Sequence, residues 1–315
     1  MAYLISVLVC AFAVAFGPGG QPAGPATPGP KTELPSKPAV PAEPAEACGQ
    51  GANLKDLDLT VDGVKRHALV YVPASASKGE TPVVFAFHGH GGNARSAARS
   101  FGYHTLWPEA ISVYMEGLPT TGKNDPKGEK NGWQQASTDN DGRDLKFFDA
   151  VLAKLRKDYK VDERRIYCTG HSNGGAFTYA LWAARGETFA AVAPSASGSR
   201  EVAALKAKPA LHLAGELDET VPFANQRRMM ERARTINGCQ DEGKPWAKSG
   251  TLTGTEYPSK AGSSFVSVIY PGTHKFPAEA PALIVKFFKE HAKPAVGGGE
   301  AKPDGGAKVP AGTDS

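Results

Sequence analysis

Four short segments of this chain carry residue types that together could run acyl transfer through a serine. The first is Gly170-His171-Ser172-Asn173-Gly174-Gly175. A β-type run at 165–169 feeds into it, and an alanine- and aromatic-rich helical pattern at 175–185 follows. Strand, Gly-x-Ser-x-Gly, helix is the setting of a nucleophile elbow, a turn so tight that the serine hydroxyl is lifted off the end of a sheet. Gly170 and Gly174 suit it because a Cβ two residues either side of the serine would clash. The pattern alone does not separate this from a surface serine on a Gly-rich turn.

The other segments narrow the choice. His88-Gly89-His90-Gly91-Gly92-Asn93 follows the apolar run at 82–87. An oxyanion needs backbone N–H donors aimed at it; one comes from the residue after the nucleophile, Asn173, the other from such an early loop, with His90 the candidate through its backbone N–H. The acidic loop at 214–222 offers Glu216, Asp218 and Glu219 as carboxylates to orient a histidine. Asp218 is the first choice, against the rival that the cluster is an acidic helix N-terminus. His274 lies in the Gly/Pro loop at 270–277 and is the candidate base. A base must be neutral to accept a proton, so activity is expected to fall in acid. A metal site on His88, His90 and His171 is a weaker rival, since no cysteine or carboxylate stands at ligand spacing. No metal and no organic cofactor are expected. Asp139-Asn140-Asp141-Gly142 lacks the rest of a calcium loop and reads as a turn.

These segments must sit on ordered elements. Residues 57–61 and 67–72 alternate around Asp62-Gly63, which predicts an antiparallel hairpin. The runs at 82–87, 111–115, 165–169, 190–193, 210–213 and 265–270 read as strands, and 144–159, 175–185, 225–236 and 282–291 as helices. A hairpin followed by alternating strands and helices predicts an α/β fold: a mostly parallel central sheet with helices on both faces. Ligands then bind beyond the carboxyl ends of the strands, where all four segments fall. In the long polar loop at 118–140, Trp133 is a candidate to stack on a sugar or an aromatic acid, with packing as its rival; Trp107 is a weaker candidate. The loop itself has the length of a binding lid.

Residues 1–16 are nearly all apolar and read as a signal peptide, or as an uncleaved membrane anchor, because no positive charge precedes the run. Val9 before Cys10 does not suit a lipidation box. Residues 17–47 are a Pro/Ala/Gly-rich linker and 294–315 a disordered tail, which leaves 48–293 as the folded domain. The expected location is secreted or extracytoplasmic. The formal charge is +4, with acids and bases mixed along the chain and no basic block with interleaved aromatics, so no nucleic-acid partner is expected. Nor does the chain point to a firm membrane partner. Cys168 lies on the elbow strand and reads as a buried thiol.

Residues 48–293 resemble the secreted esterase family of feruloyl esterases, acetylxylan esterases and poly(3-hydroxybutyrate) depolymerases, of the α/β-hydrolase fold. The matching pieces are Val84-Phe85-Ala86-Phe87-His88-Gly89, Val161-Asp162-Glu163-Arg164-Arg165-Ile166-Tyr167, Gly170-His171-Ser172-Asn173-Gly174-Gly175, Phe189-Ala190-Ala191-Val192-Ala193-Pro194, Gly215-Glu216-Leu217-Asp218-Glu219-Thr220-Val221-Pro222 and Gly272-Thr273-His274. The order serine, acid, histidine is that of α/β-hydrolases. By position, the resemblance implies Ser172 as nucleophile, Asp218 as acid and His274 as base. Cys48-Gly49 and Asn237-Gly238-Cys239 also look like family positions, which supports the hypothesis of a Cys48–Cys239 disulfide; free thiols at both in non-reducing peptide mapping would reject it. The chain departs at Thr273-His274-Lys275-Phe276-Pro277, where many relatives have Gly-His before Trp-Pro.

The expected function is a secreted serine carboxylic-ester hydrolase acting on feruloyl or acetyl esters of polysaccharides. A polyester depolymerase or general short-chain esterase uses the same chemistry with a different acyl pocket. A peptidase of the same fold is a further possibility. A non-catalytic binding protein on a hydrolase scaffold is the reading from another class, and the four segments together weigh against it.

Overall fold

A computed structural model describes residues 53–295. The segments read as signal peptide and linker, Cys48 of the expected disulfide, and residues 296–315 of the tail lie outside the described residues.

The first hairpin forms as its alternation requires. Strands β1 (Lys55–Val61) and β2 (Val64–Tyr71) pair antiparallel around Asp62 and Gly63. Both turn residues have positive φ, 50° and 78°, which matches the strand twist and suits an Asp-Gly pair. β3 (Thr81–Phe87) is buried along its whole length, as a continuous apolar run demands of a strand covered on both faces. Helix α1 (Ala94–Phe101) opens with a capping box in which the Asn93 side chain accepts from the Ser96 N–H and Ser96 Oγ accepts from the Asn93 N–H. The short α2 (Tyr103–Leu106) leads to β4 (Ile111–Met115).

After β4 the polar segment folds back on itself. β5 (Leu118–Pro119) pairs with β6 (Asn131–Gly132), so this stretch is a structured hairpin, where the sequence suggested a long lid. A 3-10 turn, Asp139–Gly142, leads into α3 (Arg143–Asp158). Then come β7 (Val161–His171), α4 (Asn173–Arg185), β8 (Ala191–Ser195), β9 (Ala210–Gly215) and α5 (Phe223–Ile236). β10 (Lys244–Ser249), β11 (Leu252–Tyr257), β12 (Phe265–Tyr270) and α6 (Ala280–Lys289) complete the order.

Ten strands form one sheet in the order β1-β2-β4-β3-β7-β8-β9-β12-β11-β10. The central six, β4 to β12, run parallel, and the hairpins at both edges run antiparallel. The expected α/β-hydrolase architecture is therefore present: a mostly parallel central sheet, an N-terminal antiparallel hairpin, and helices on both faces. The second edge hairpin, β10–β11, was not anticipated from the sequence.

Alternation along β3 splits the core in two. Phe85 and Phe87 point to one face and pack with Phe147 and Phe148 of α3 and Phe177 of α4. Val84 and Ala86 point to the other, with Ala97 and Phe101 of α1 and Phe288 of α6. Complete burial of each such large side chain contributes roughly 1.5–3 kcal/mol. This holds the carboxyl ends of β3, β7, β8, β9 and β12 in one row, and the four chemical segments begin at the ends of β3, β7, β9 and β12.

Candidate active site

Ser172 sits between β7 and α4 with φ 57° and ψ −119°, the strained left-handed conformation of a non-glycine residue. The fold holds it there. Its N–H donates to the Ser195 carbonyl at 2.9 Å. A Cβ on Gly170 would strike the Gly174 carbonyl, and one on Gly174 would strike the carbonyls of Phe87 and His88. The glycines are thus required by close backbone approach between elbow and β3, as the spacing implied.

The acid and histidine loops converge on this point because β9 and β12 are neighbours. Backbone bonds sew them together: Glu216 N–H to the Tyr270 carbonyl and Leu217 N–H to the Gly272 carbonyl, both 2.9 Å. The Tyr270 hydroxyl reaches the carbonyls of Thr273 and Lys275, at 2.9 and 2.7 Å, and so braces the turn that carries His274. The result is an unbroken line. Ser172 Oγ lies 2.7 Å from His274 Nε2, and His274 Nδ1 lies 2.8 Å from Asp218 Oδ2. Accessibility is graded along it: the Asp218 side chain is fully buried and that of His274 is 24% exposed.

Of the three acids, it is Asp218 that meets the histidine. Its carboxylate accepts four hydrogen bonds: Oδ1 from the N–H groups of Thr220 and Val221, both at 2.9 Å, and Oδ2 from His274 and from Gln226 Nε2 at 2.9 Å. A carboxylate with four N–H donors is held in one orientation.

His171, considered in the sequence only as a metal-ligand rival, has another place. Its Nε2–H donates to the His274 carbonyl at 2.8 Å, and its Nδ1 accepts from Ser195 Oγ at 2.9 Å. Burial, aided by the neighbouring His274, pushes its pKa down to about 4, so it stays neutral. Phe276 packs edge-on to the His171 ring and to Phe101. His88 is likewise engaged on both nitrogens: Nδ1–H donates to the Gly89 carbonyl and Nε2 accepts from the Gly117 N–H. With both ring nitrogens taken, neither imidazole has a lone pair to offer a metal. Among the described residues no group of three or more His, Cys, Asp or Glu is placed to hold a metal ion.

The oxyanion candidates stand on facing segments. Asn173 begins α4, and its side chain pairs with the Trp133 backbone, Oδ1 accepting at 2.7 Å and Nδ2 donating at 3.0 Å. His90 directs its ring Nε2 to Asp125 Oδ2 at 3.0 Å. The Lys130 N–H and this histidine hold the Asp125 carboxyl down at about 2. The 118–132 hairpin is thereby pinned against the His88–Asn93 loop, with Gly91 N–H donating to the Asn131 carbonyl at 2.7 Å. Among the described residues no backbone carbonyl takes the His90 backbone N–H.

Trp133 takes the packing place that was the rival in the sequence reading. It is fully buried, stacked on Phe177 at 5.2 Å between ring centroids and edge-on to Phe87, with its indole N–H donated to the His88 carbonyl. Its ring neighbours are core aromatics contributed by β3 and α4, and the residue also borders the smaller of two polar clefts. Trp107 is also buried. Cys168 is a buried thiol whose pKa burial raises, and Cys239 is half-buried with its thiol toward the Ser263 carbonyl. Two polar clefts flank the strand ends. One of about 610 Å³ includes Asp56, His67, Gly91, Gly92, Arg95 and Lys130; one of about 260 Å³ includes Thr120, Gln135, Asp139 and Arg200. Ser172 lines neither.

Comparison with known proteins agrees with this construction. Residues 126–200, which include the elbow, match the prolyl oligopeptidase family. The chain is 28% identical over 200 residues to a probable feruloyl esterase C of Aspergillus clavatus, covering 61% of this chain and 69% of that one. The fold matches an acetyl xylan esterase from Aspergillus awamori with a TM-score of 0.58 at 16% identity, over 75% of this chain and 99% of that one. It matches a thermostable esterase with a TM-score of 0.51 at 18% identity, over 76% of this chain and 63% of that one. At such identities the solved structures speak for the fold alone, and the curated relative speaks for ester hydrolysis. The chain is a carboxylic-ester hydrolase of the α/β-hydrolase fold, similar to feruloyl and acetylxylan esterases.

Proposed function

We propose that this protein is an exported serine esterase that works through an acyl-enzyme on feruloyl or acetyl esters of polysaccharides. The observation that carries the reading is the Ser172–His274–Asp218 hydrogen-bond line at the carboxyl end of the central strands. In the proposed cycle Ser172 Oγ attacks the ester carbonyl carbon while its proton passes to His274 Nε2. Asp218 holds the imidazole with its other proton on Nδ1 and stabilises the imidazolium. The tetrahedral oxyanion rests on the N–H groups of Asn173 and His90. Collapse breaks the bond from carbonyl carbon to alkoxy oxygen, and His274 returns the proton to the departing alcohol. Water, deprotonated by His274, then cleaves the acyl-enzyme and restores Ser172. None of these steps calls for a metal or redox group.

Support for the substrate class comes from the relatives, which include the feruloyl esterase C of Aspergillus clavatus and a bifunctional acetylxylan esterase/xylanase of Neocallimastix patriciarum. Support for export is the apolar segment at 1–16 followed by a Pro/Ala/Gly linker.

The test compares wild type with Ser172→Ala on methyl ferulate, acetylated xylan, p-nitrophenyl acetate and butyrate, poly(3-hydroxybutyrate) and a peptide amide. Hydrolysis of the first two by wild type, lost in the variant, is the expected result. Preference for the polyester or for the short-chain nitrophenyl esters would move the assignment to a depolymerase or general esterase. Cleavage of the amide would move it to a peptidase. Absence of turnover on all of them, or turnover that survives the substitution, would overturn the reading.

A further inference from the structure

Behind Asp218 lies a line of buried polar side chains that the proposed reaction leaves unused. Gln226 is on α5, His212 on β9 and Tyr179 on α4, and each is fully buried. Gln226 Nε2 lies 2.9 Å from Asp218 Oδ2 and 2.7 Å from the Val221 carbonyl. His212 Nε2 lies 3.2 Å from Gln226 Oε1, and His212 Nδ1 lies 2.8 Å from the Tyr179 hydroxyl.

We propose that Tyr179, His212 and Gln226 are positioning residues: a one-directional hydrogen-bond chain that locks the Asp218 carboxylate toward His274. The proposal rests on the Ser172–His274–Asp218 reading and extends it by three residues.

The direction of every bond follows from the acceptors at its inner end. Asp218 Oδ2 and the Val221 carbonyl can only accept, so the Gln226 amide must turn its NH2 toward them and spend one N–H on each. Its carbonyl oxygen then faces His212, so His212 Nε2 must carry a proton. Burial pushes the His212 pKa down to about 4, with the bond from Gln226 opposing, so the ring is neutral and Nδ1 is bare. Nδ1 therefore accepts the Tyr179 proton, and burial keeps that phenol protonated, its pKa raised far above the usual value. Reversing any one bond would leave two acceptors or two donors face to face in a dry core, which is costly. Tyr179 on α4 also belongs to the helix that follows Ser172, so the chain links the supports of acid and nucleophile through β9.

A space-filling role alone would not demand this polarity. The 226, 229, 230 and 233 positions form the buried stripe of α5; the other three are Met229, Met230 and Ala233. An apolar side chain would fill the first position equally well. Gln226 is the one polar member, and it is the one that reaches the acid.

The test has two readouts. Nitrogen NMR of the imidazoles, on Ser172→Ala protein so that no turnover intrudes, is expected to show His212 neutral with its proton on Nε2. Tyr179→Phe should move the Nδ1 resonance to that of a nitrogen without a hydrogen bond. In kinetics, Gln226→Leu should lower kcat about 10- to 100-fold, the cost of a hydrogen bond to a charged group, with KM within about twofold. Tyr179→Phe should lower kcat several-fold in the same manner. Should Gln226→Leu not fold, Tyr179→Phe and the His212 tautomer decide. A His212 proton on Nδ1, or folded Gln226→Leu or Tyr179→Phe with wild-type kcat, would overturn the chain. Hydrolysis that persists in Ser172→Ala would instead overturn the nucleophile, while the tautomer would still report on the chain.

Discussion

At the residue scale, the site is a case of strain held in place by packing. A non-glycine residue at φ 57° costs about 1–3 kcal/mol. It persists because Ser172 is tied to Ser195 and the elbow is pressed against β3 through two glycines. The histidine, by contrast, is held by its partners: Asp218 on the ring and His171 on the carbonyl. Asp218→Asn is accordingly expected to fold, yet to favour the wrong His274 tautomer, with kcat lower by on the order of 10⁴-fold. Steady-state kinetics beside a thermal melt would check this; a loss that tracks the melting temperature would argue for misfolding instead. Ser172, Asp218 and His274 were legible in the chain because each lies in a short local pattern at a strand end. Gln226, His212 and Tyr179 were not, since a buried hydrogen bond between distant elements leaves only a faint local trace. The trace is a polar residue on an apolar stripe, as Gln226 is on α5, or inside an apolar strand, as His212 is in Ala-Leu-His-Leu-Ala.

At the scale of elements, the segment from β5 to α3 is where local reading and fold diverged. It is long, polar and rich in glycine, which suggested a binding lid carrying Trp133 as a stacking candidate. The fold turns it into a braced hairpin. Asp125 caps the N–H groups of Glu129 and Lys130, Asp139 accepts from those of Gln135 and Ala136, and Trp133 is driven into the aromatic cluster of Phe87 and Phe177. Trp133→Ala should therefore cost about 3–5 kcal/mol of stability through the cavity it leaves. The check is denaturant unfolding set beside KM for several esters. A normal melt with a selective rise in KM for aromatic or sugar esters would restore the ligand-stacking role. The β10–β11 hairpin escaped notice for a different reason. Its strands lie at the sheet edge and β10 is largely solvent-facing, so the apolar alternation that marks a strand is weak there. Helix α1 carried its signal in the Asn93–Ser96 capping box, not in its apolar content.

At the scale of the molecule, three imidazoles are buried inside the fold, and burial lowers the pKa of each: His88, His171 and His212. Burial lowers both His171 and His212 from 6.5 to about 4. The sign follows by linkage: an unfolded chain binds these protons near pH 6.5, whereas the folded chain resists them until near pH 4. The stability they contribute is full above about pH 6.5 and is lost as pH falls toward 4. The melting temperature should decline across that interval. His212→Gln should start lower at pH 7 and lose less between pH 6.5 and 4. An equal decline in both proteins would show that His212 is not a source of the acid sensitivity.

By itself the amino-acid sequence determined the parallel α/β architecture, the serine at the elbow turn, and the chain order of Ser172, Asp218 and His274. These depend on short-range quantities: alternation, apolar runs, and glycines where backbones must meet. Tertiary structure decided which of three acids faces His274, because only the pairing of β9 with β12 sets that distance. It also decided that His88 and His171 are neutral struts, that Trp133 belongs to the core, and that a polar chain runs from Tyr179 to Asp218. Such contacts span up to 103 positions of sequence, as between His171 and His274, and a local pattern cannot encode which distant partner a buried polar group will find.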